Sequence, residues 1–188
     1  MGIFSFLKKK PADTSTFMME DDFCQVEIIP SSNFDFVTKQ AIMVYEFSQA
    51  HFDGTGFTDI IARENNPFKI SQLLIPITDI EDFLAENFFT RIKKIHYSGG
   101  GIIDYHKGVT RAYGDNDFSI WTEVKDDIII NLWVTCRGAR TKEQKLQITN
   151  ILNALGEQYQ LIMADWNICE VIDLRQTDQI ATYLENYC

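Results

Sequence analysis

The hydrophobic positions follow a helical period near both ends of the chain and a strand period in its middle. Apolar residues spaced three and four apart predict helices, because such residues share one helix face. This spacing predicts four helices, at about 33–50, 78–89, 141–155 and 177–187. Apolar residues occupy most of the circumference of the first helix, so we expect it to be buried on more than one side.

From Arg91 onward the period of the apolar residues changes to two, which is the period of a β-strand. Five such segments predict a central antiparallel meander over about 91–136. Further strands are predicted at 23–29, 159–164 and 168–174. Helices grouped around a contiguous antiparallel run indicate an α+β fold with a mainly antiparallel sheet, because a parallel sheet needs regular β-α-β alternation.

Short motifs predict where individual helices begin and end. Thr141 and Gln144 have the spacing of a capping box, in which each residue bonds the backbone of the other. Thr78 and Glu81 have the same spacing at the start of the second predicted helix. Gly156 is predicted to end the third helix, because glycine is common just beyond the last helical residue.

The first 22 residues differ in composition from the rest of the chain. Residues 11–22 are rich in Pro, Ser, Thr and acidic residues, which predicts a linker, so we expect a tail over 1–22 and a single domain over 23–188. The tail begins with four apolar side chains followed by three lysines. One interpretation is that residues 1–10 contact a membrane. We do not favour it, because one or two helical turns would attach only weakly.

Composition favours an acidic cytoplasmic protein. The formal net charge is −10, although Lys8, Lys9 and Lys10 are included in it. A body this acidic repels phosphate backbones, so we expect no nucleic-acid partner, and it favours a basic protein partner. The four cysteines form no C-x-x-C pair, so neither a metal site nor a cofactor is predicted. Cys136 lies in an apolar strand pattern and is expected to be a small buried hydrophobe in a reducing compartment.

The most informative stretch is a predicted hairpin over 118–134 with its tip at 125–127. Its expected pairs are Val124 with Ile128, Thr122 with Ile130, Ile120 with Leu132 and Phe118 with Val134. That face is almost wholly apolar, as a face turned to the core should be. The opposite face carries Trp121, Glu123, Ile129, Asn131 and Trp133. Because water alone would favour polar residues there, either the N-terminal helices cover this face or it is an exposed partner-binding patch.

A second candidate site is a cluster of cations at the start of the predicted third helix. Arg137, Arg140 and Lys142 crowd a helix end that already carries partial positive charge. Such a cluster predicts an anion-binding site, in which a phosphate or a partner carboxylate takes an arginine fork. The alternative is that these side chains extend separately into solvent.

A third candidate site surrounds the glycine run at 99–101. Asp104 and His106 share one face of a predicted strand, so the carboxylate can orient the imidazole. His96 lies on the other side of the glycines. The three side chains are weak candidates for general acid–base chemistry, and the alternative is a hairpin loop with half-exposed histidines.

Two hypotheses about function follow from these residues. The leading one is a non-catalytic acidic protein-interaction module, adaptor- or immunity-like, that binds a basic protein partner. The alternative is a small enzyme of hydrolase or transferase type that uses the His–Asp pair beside the glycine loop. The sequence leaves the partner, any substrate and the oligomeric state open.

Overall fold

The computed structural model describes residues 15–87, 89–97, 101–104, 109–138 and 140–188, with the backbone only for 102–104. Its strands are β1 (Ser15–Met18), β2 (Val26–Pro30), β3 (Lys94–Tyr97), β4 (Ile102–Asp104), β5 (Thr110–Gly114), β6 (Phe118–Lys125), β7 (Ile128–Cys136), β8 (Leu161–Asp165) and β9 (Glu170–Asp173). Its α-helices are α1 (Phe34–His51), α2 (Ile77–Glu86), α3 (Lys142–Tyr159) and α4 (Thr177–Tyr187).

Six strands form the main sheet, in the order β5-β6-β7-β2-β8-β9, and each neighbouring pair is antiparallel. This arrangement, together with the four helices, confirms the predicted α+β fold and its antiparallel sheet. Strands β1, β3 and β4 form a second, smaller sheet. The single meander expected over 91–136 is therefore wrong, because β3 and β4 leave the main sheet and only β5, β6 and β7 form a meander within it.

Helices α2, α3 and α4 cover one face of the main sheet. The core on this side joins side chains of the three helices to inward-facing residues of the strands, such as Ile28, Leu132 and Met163. The spacing of apolar residues on α3 and α4 brings Leu152 and Leu184 into this core, both fully buried. Alternate residues along β2 and β8 turn to the opposite face, as the period of a strand requires.

Two different elements cover the opposite face of the main sheet. Helix α1 packs over β2 and β8 through Val37 and Ala41. The small sheet packs over β5, β6 and β7, where Met18 and Ile95 contact the two tryptophans of the central hairpin. Because Ser15–Met18 pairs in parallel with Lys94–Tyr97, residues 15–18 belong to this sheet and not to the linker that the composition predicted.

The hairpin of β6 and β7 differs in register from the expected one. Its turn has two residues, Asp126 and Asp127, both with positive φ, so that Lys125 pairs with Ile128. An irregularity between Glu123 and Val124 adds a further shift of one residue. The two shifts together leave every residue from Phe118 to Glu123 on its expected face, but they place Ile129 in the main core opposite Val124. The assignment of Ile129 to the tryptophan face was therefore wrong.

The predicted helix ends have mixed outcomes. The capping box of Thr141 and Gln144 is confirmed, with Thr141 as the N-cap of α3. Gly156 does not end this helix, which continues to Tyr159 before Gln160 adopts a left-handed conformation. A Cβ atom at Gly156 would lie 2.5 Å from Leu174, so the glycine is needed for close packing within the helix.

The start of α2 also differs from the prediction. The helix begins at Ile77 after Pro76, and Glu81 does not return to cap it. Its carboxylate instead accepts hydrogen bonds from Arg91, Arg111 and Tyr113, at 2.8, 3.1 and 2.9 Å. Glu81 of α2 therefore takes part in a long-range cluster with these three residues and does not cap its own helix.

Cys136 and Cys188 form a disulfide that joins the end of β7 to the residue after α4, with their Cα atoms 5.9 Å apart. Cys136 was expected to be a small buried hydrophobe, but it is only partly buried and is bonded to Cys188. The remaining cysteines, Cys24 and Cys169, are free and half-buried. None of the helices in the described part of the chain has the length and apolar character needed to cross a membrane.

Candidate functional site

The two tryptophans of the central hairpin lie in the interior. Trp121 and Trp133 pair across β6 and β7 with stacked rings 5.8 Å apart, and both are fully buried beneath the small sheet. Trp121 donates a hydrogen bond to the hydroxyl of Thr135 at 3.0 Å. The element that covers these rings is therefore the small sheet and not the N-terminal helices, and the rings do not form an exposed patch.

The polar members of the same predicted patch remain at its rim. Glu123 accepts a 2.6 Å hydrogen bond from the amide of Asn131 on the opposite strand, and both side chains are half-buried. Asn131 also lines a cleft between β2 and β7. Two of the five residues predicted to bind a partner are thus accessible, whereas the two tryptophans are not.

The histidine candidates are only partly described. His96 lies on β3, half-buried, with its ring stacked on Phe17 at 5.0 Å. Asp104 lies at the end of β4, where its backbone pairs with Lys94, and His106 lies outside the described residues. The His–Asp pair therefore remains a prediction. Within the described ranges, no group of three or more His, Cys, Asp and Glu residues is arranged to hold a metal ion.

The cations at the start of α3 are held by different partners. Arg137 donates to the carbonyl of Phe17 at 2.7 Å and pairs with Asp22. Arg140 forms a two-pronged pair with Asp115, at 3.2 and 2.6 Å, and its side chain is only 4% exposed. Lys142 is exposed to solvent. The predicted cluster of three is thus divided, and of its members only Arg140 is buried.

A surface that the sequence interpretation did not identify lies at helix α1. The structure buries only Val37, Gln40 and Ala41 of its 18 residues, so the expectation of burial on more than one side is wrong. Four large apolar side chains of the helix are exposed: Phe34, Ile42, Met43 and Tyr45. A helix that is apolar on most sides normally has most sides covered, so α1 has an apolar face with no intramolecular cover in the described part of the chain.

A groove of about 460 Å³ opens beside the C-terminal half of α1. Val44 and Phe47 of the helix form one wall, and Phe57 and Ile60 of the following segment form the other. Trp166, in the turn after β8, also lines it. Ile60 is 91% exposed and Phe57 is 67% exposed, so the outer wall carries apolar side chains that contribute little to the protein's own core.

Glu27 fixes the position of Trp166 and of the residues that follow the outer wall. Its carboxylate accepts hydrogen bonds from the indole N–H of Trp166 at 2.6 Å, from Arg63 at 3.2 Å and from the amide of Asn66 at 3.3 Å. The guanidinium of Arg63 also lies 4.0 Å from the centre of the indole ring, as a cation–π contact requires. One carboxylate on β2 therefore joins Trp166, which lines the groove, to Arg63 and Asn66, which follow the outer wall in the chain.

Two buried polar residues attach the same segment to α1. Asn33 exchanges two hydrogen bonds with the backbone of Phe68, at 2.7 and 3.0 Å. Gln40 accepts one from the backbone N–H of Glu64 at 3.3 Å. These contacts explain why a segment without helix or strand structure over 58–69 is nevertheless held against the helix.

A tight turn presents the two phenylalanines that follow α1. The carboxylate of Asp53 accepts hydrogen bonds from the backbone of Thr55 and Gly56, and these bonds lower the pKa of Asp53 below its ordinary value of 3.8. The backbones of Phe52 and Phe57 form an antiparallel β-bridge across the turn, and their ring centres lie 5.6 Å apart. Asp53 is therefore ionised at neutral pH and adds negative charge next to these exposed rings.

The surroundings of the groove are acidic. Between residues 34 and 62 the chain has one lysine, Lys39, and four exposed carboxylates, on Asp35, Glu46, Asp53 and Asp59. Asp59 lines the groove itself. Arg63 lies just beyond, but its charge is already paired with Glu27. The groove thus combines an apolar interior with a negatively charged edge.

The two free cysteines do not have the properties of nucleophiles. Burial, followed by the charges of Glu27 and Glu123, raises the pKa of the Cys24 thiol to about 12. Burial and Asp165 also raise the pKa of Cys169, which lies in the groove. Because the thiolate is the reactive form, both side chains stay protonated and unreactive at neutral pH.

Comparison of the chain with family models, with curated proteins and with solved structures finds no match. A function for this protein therefore has to be inferred from the chemistry of its own surfaces.

Proposed function

We propose that this protein is a non-catalytic protein-interaction module that binds its partner in the groove beside α1. The observation that carries the proposal is the uncovered apolar surface: Phe57 and Ile60 line the groove while remaining largely exposed. Contiguous apolar surface of this kind is typical of binding sites, since a soluble fold gains nothing from exposing it. The bonds from Glu27 to Trp166 and to Arg63 and Asn66, just beyond the outer wall, support a preformed site.

The chemistry of the groove favours a partner segment with one apolar face and flanking basic side chains. Apolar side chains of the partner would fill the space between Phe47 and Ile60, and lysines or arginines would meet Asp53 and Asp59. An amphipathic helix satisfies both requirements, because it presents a row of apolar residues with charges beside it. The overall charge of −10 adds long-range attraction for such a segment.

Two labelled amphipathic peptides of the same length test this proposal, one built from leucine and lysine and the other from leucine and glutamate. Fluorescence anisotropy with the full chain should show saturable binding of the lysine peptide and at least tenfold weaker binding of the glutamate peptide. Ile60→Ser should weaken binding of the lysine peptide about tenfold, because it removes one large apolar contact.

Leu146→Ser is the matched control, because Leu146 is an exposed apolar residue on α3, far from the groove in the fold. It should leave the affinity unchanged. Equal binding by wild type, Ile60→Ser and Leu146→Ser would show that the peptide binds through charge alone and would contradict a site in the groove. Absence of saturable binding by the lysine peptide would overturn the assignment of a basic, apolar partner.

A further inference from the structure

A cavity of about 130 Å³ lies beside the amino end of α3, away from the groove. Its lining includes Arg140, Asp115, Gln144 and Gln147 together with apolar residues such as Phe118. The volume is several times that of one water molecule and is sufficient for a small ion. The cavity therefore combines a buried cation, side-chain amides and the positive end of a long helix.

Arg140 has hydrogen-bonding capacity that the protein does not use. A guanidinium group has five N–H donors, and Asp115 takes one from each terminal nitrogen. The Nε–H of Arg140 is buried and has no hydrogen-bond partner among the described residues. The edge that Nε shares with one terminal nitrogen is a two-donor fork of the kind that oxyanions fill.

The surroundings of Arg140 favour an anion over a neutral ligand. The pair with Asp115 balances one charge, and the amino end of α3 adds the partial positive charge of the helix dipole. Burial would raise the pKa of Asp115, but the hydrogen bond from Arg140 and the backbone amides of Phe118 and Asp117 lower it, so the carboxylate is ionised at neutral pH. The backbone N–H of Arg140 also donates to the carbonyl of Cys188 at 3.2 Å, which fixes the residue in place.

We propose that this cavity binds a small oxyanion of phosphate size, held by the free edge of Arg140 at the amino end of α3. Of the three cations that the sequence placed at this turn, Arg140 is the one that lines the cavity. Arg137 is bonded to Phe17 and Asp22, and Lys142 lies in solvent. The site is independent of the groove and of the proposed protein partner.

Titration of the full chain with sodium phosphate tests the site, with the Nε–Hε signals of the arginines followed by NMR. Sodium chloride of matched ionic strength provides the reference. One arginine signal should shift saturably with phosphate and not with chloride, and this signal should be absent from Arg140→Lys. Lys142→Ala is the matched control, because it removes a cation from the same helix turn without touching the cavity, and it should leave the shift intact.

Asp115→Asn provides a second test that does not require Arg140→Lys to fold. The substitution keeps an oxygen for the turn amides that Asp115 caps, but it removes the negative charge that competes for the guanidinium. Phosphate should therefore bind Asp115→Asn severalfold more tightly than it binds wild type. A shift that does not saturate, a shift lost in Lys142→Ala, or weaker binding by Asp115→Asn would each overturn the proposal and leave the cavity as a site for water.

Discussion

Replacing Glu27 with glutamine should destabilise the fold and loosen the groove at the same time. The substitution preserves size but removes the charge on which three donors converge, from Trp166, Arg63 and Asn66. Hydrogen bonds to a charged group each contribute about 1.5–3 kcal/mol when buried. Glutamine keeps one acceptor oxygen, and Arg63 is about one-third exposed, so its contribution is partly screened. The expected loss in the free energy of unfolding is about 2–3 kcal/mol.

Urea denaturation monitored by tryptophan fluorescence measures this loss. Because the variant breaks contacts without changing the unfolded chain, the midpoint should fall while the slope stays constant. Glu46→Gln is the control, since it removes a carboxylate from the exposed side of α1, and it should change stability by less than about 0.5 kcal/mol. A loss for Glu27→Gln as small as that of the control would refute the inference that this carboxylate organises the groove.

Three further predictions concern packing and the cysteines. Gly156→Ala should destabilise the fold by about 1–3 kcal/mol, measured by thermal melting, although alanine is the better helix former, because its methyl group would overlap Leu174. Reduction of the Cys136–Cys188 disulfide, which spans 52 residues, should lower the free energy of unfolding by up to about 4 kcal/mol in urea titrations. Cys24 should react with iodoacetamide at pH 8 roughly a thousandfold more slowly in the native than in the unfolded protein, because its pKa is raised from 9.0 to about 12. The same shift means that its contribution to stability is complete below pH 9 and is lost as pH rises toward 12.

The predictions for Gly156 and for the disulfide each have a control within the chain. Gly56→Ala adds the same methyl group where nothing lies within 4 Å, so it should be nearly neutral. Cys169→Ser leaves the disulfide intact, so this variant should lose as much stability on reduction as wild type does. A destabilisation by Gly56→Ala equal to that of Gly156→Ala would show that close packing against Leu174 is not the cause.

The sequence predicted the faces of the central hairpin better than its register. Two acidic residues at 126–127 form a two-residue turn, whereas the prediction used a three-residue tip, and this difference shifts the pairing by one. The irregularity after Glu123 shifts it by one more. Because side chains alternate with a period of two, the errors cancel at Trp121 and Trp133 but not at Ile129. The acidic pair at 126–127 is a local sequence signal for the turn, but no local residue pattern marks the irregularity after Glu123.

Long-range pairing explains why the small sheet could not be predicted. Strand β1 pairs with β3 across almost eighty residues, and no local period marks that partnership. Residues 15–18 lie within the polar and acidic stretch 11–22, and of their two apolar side chains, Phe17 and Met18, the first is exposed. By contrast, α3 and α4 have strong apolar spacing and face the core directly, so their positions followed from the sequence.

The apolar walls of the groove and its acidic edge respond differently to salt, which allows their contributions to binding to be separated. Charge attraction between exposed groups is screened over about 8–10 Å at physiological ionic strength, so sodium chloride should weaken that part of the affinity. Burial of apolar surface is not screened, and sulfate strengthens it. If Phe57 and Ile60 form contacts with the lysine peptide, its affinity should fall with sodium chloride to a plateau and not to zero. Ile60→Ser should lower that plateau while leaving the salt-dependent part unchanged. A peptide released completely by moderate salt would be bound by the carboxylates alone, and the apolar groove would then have no part in recognition.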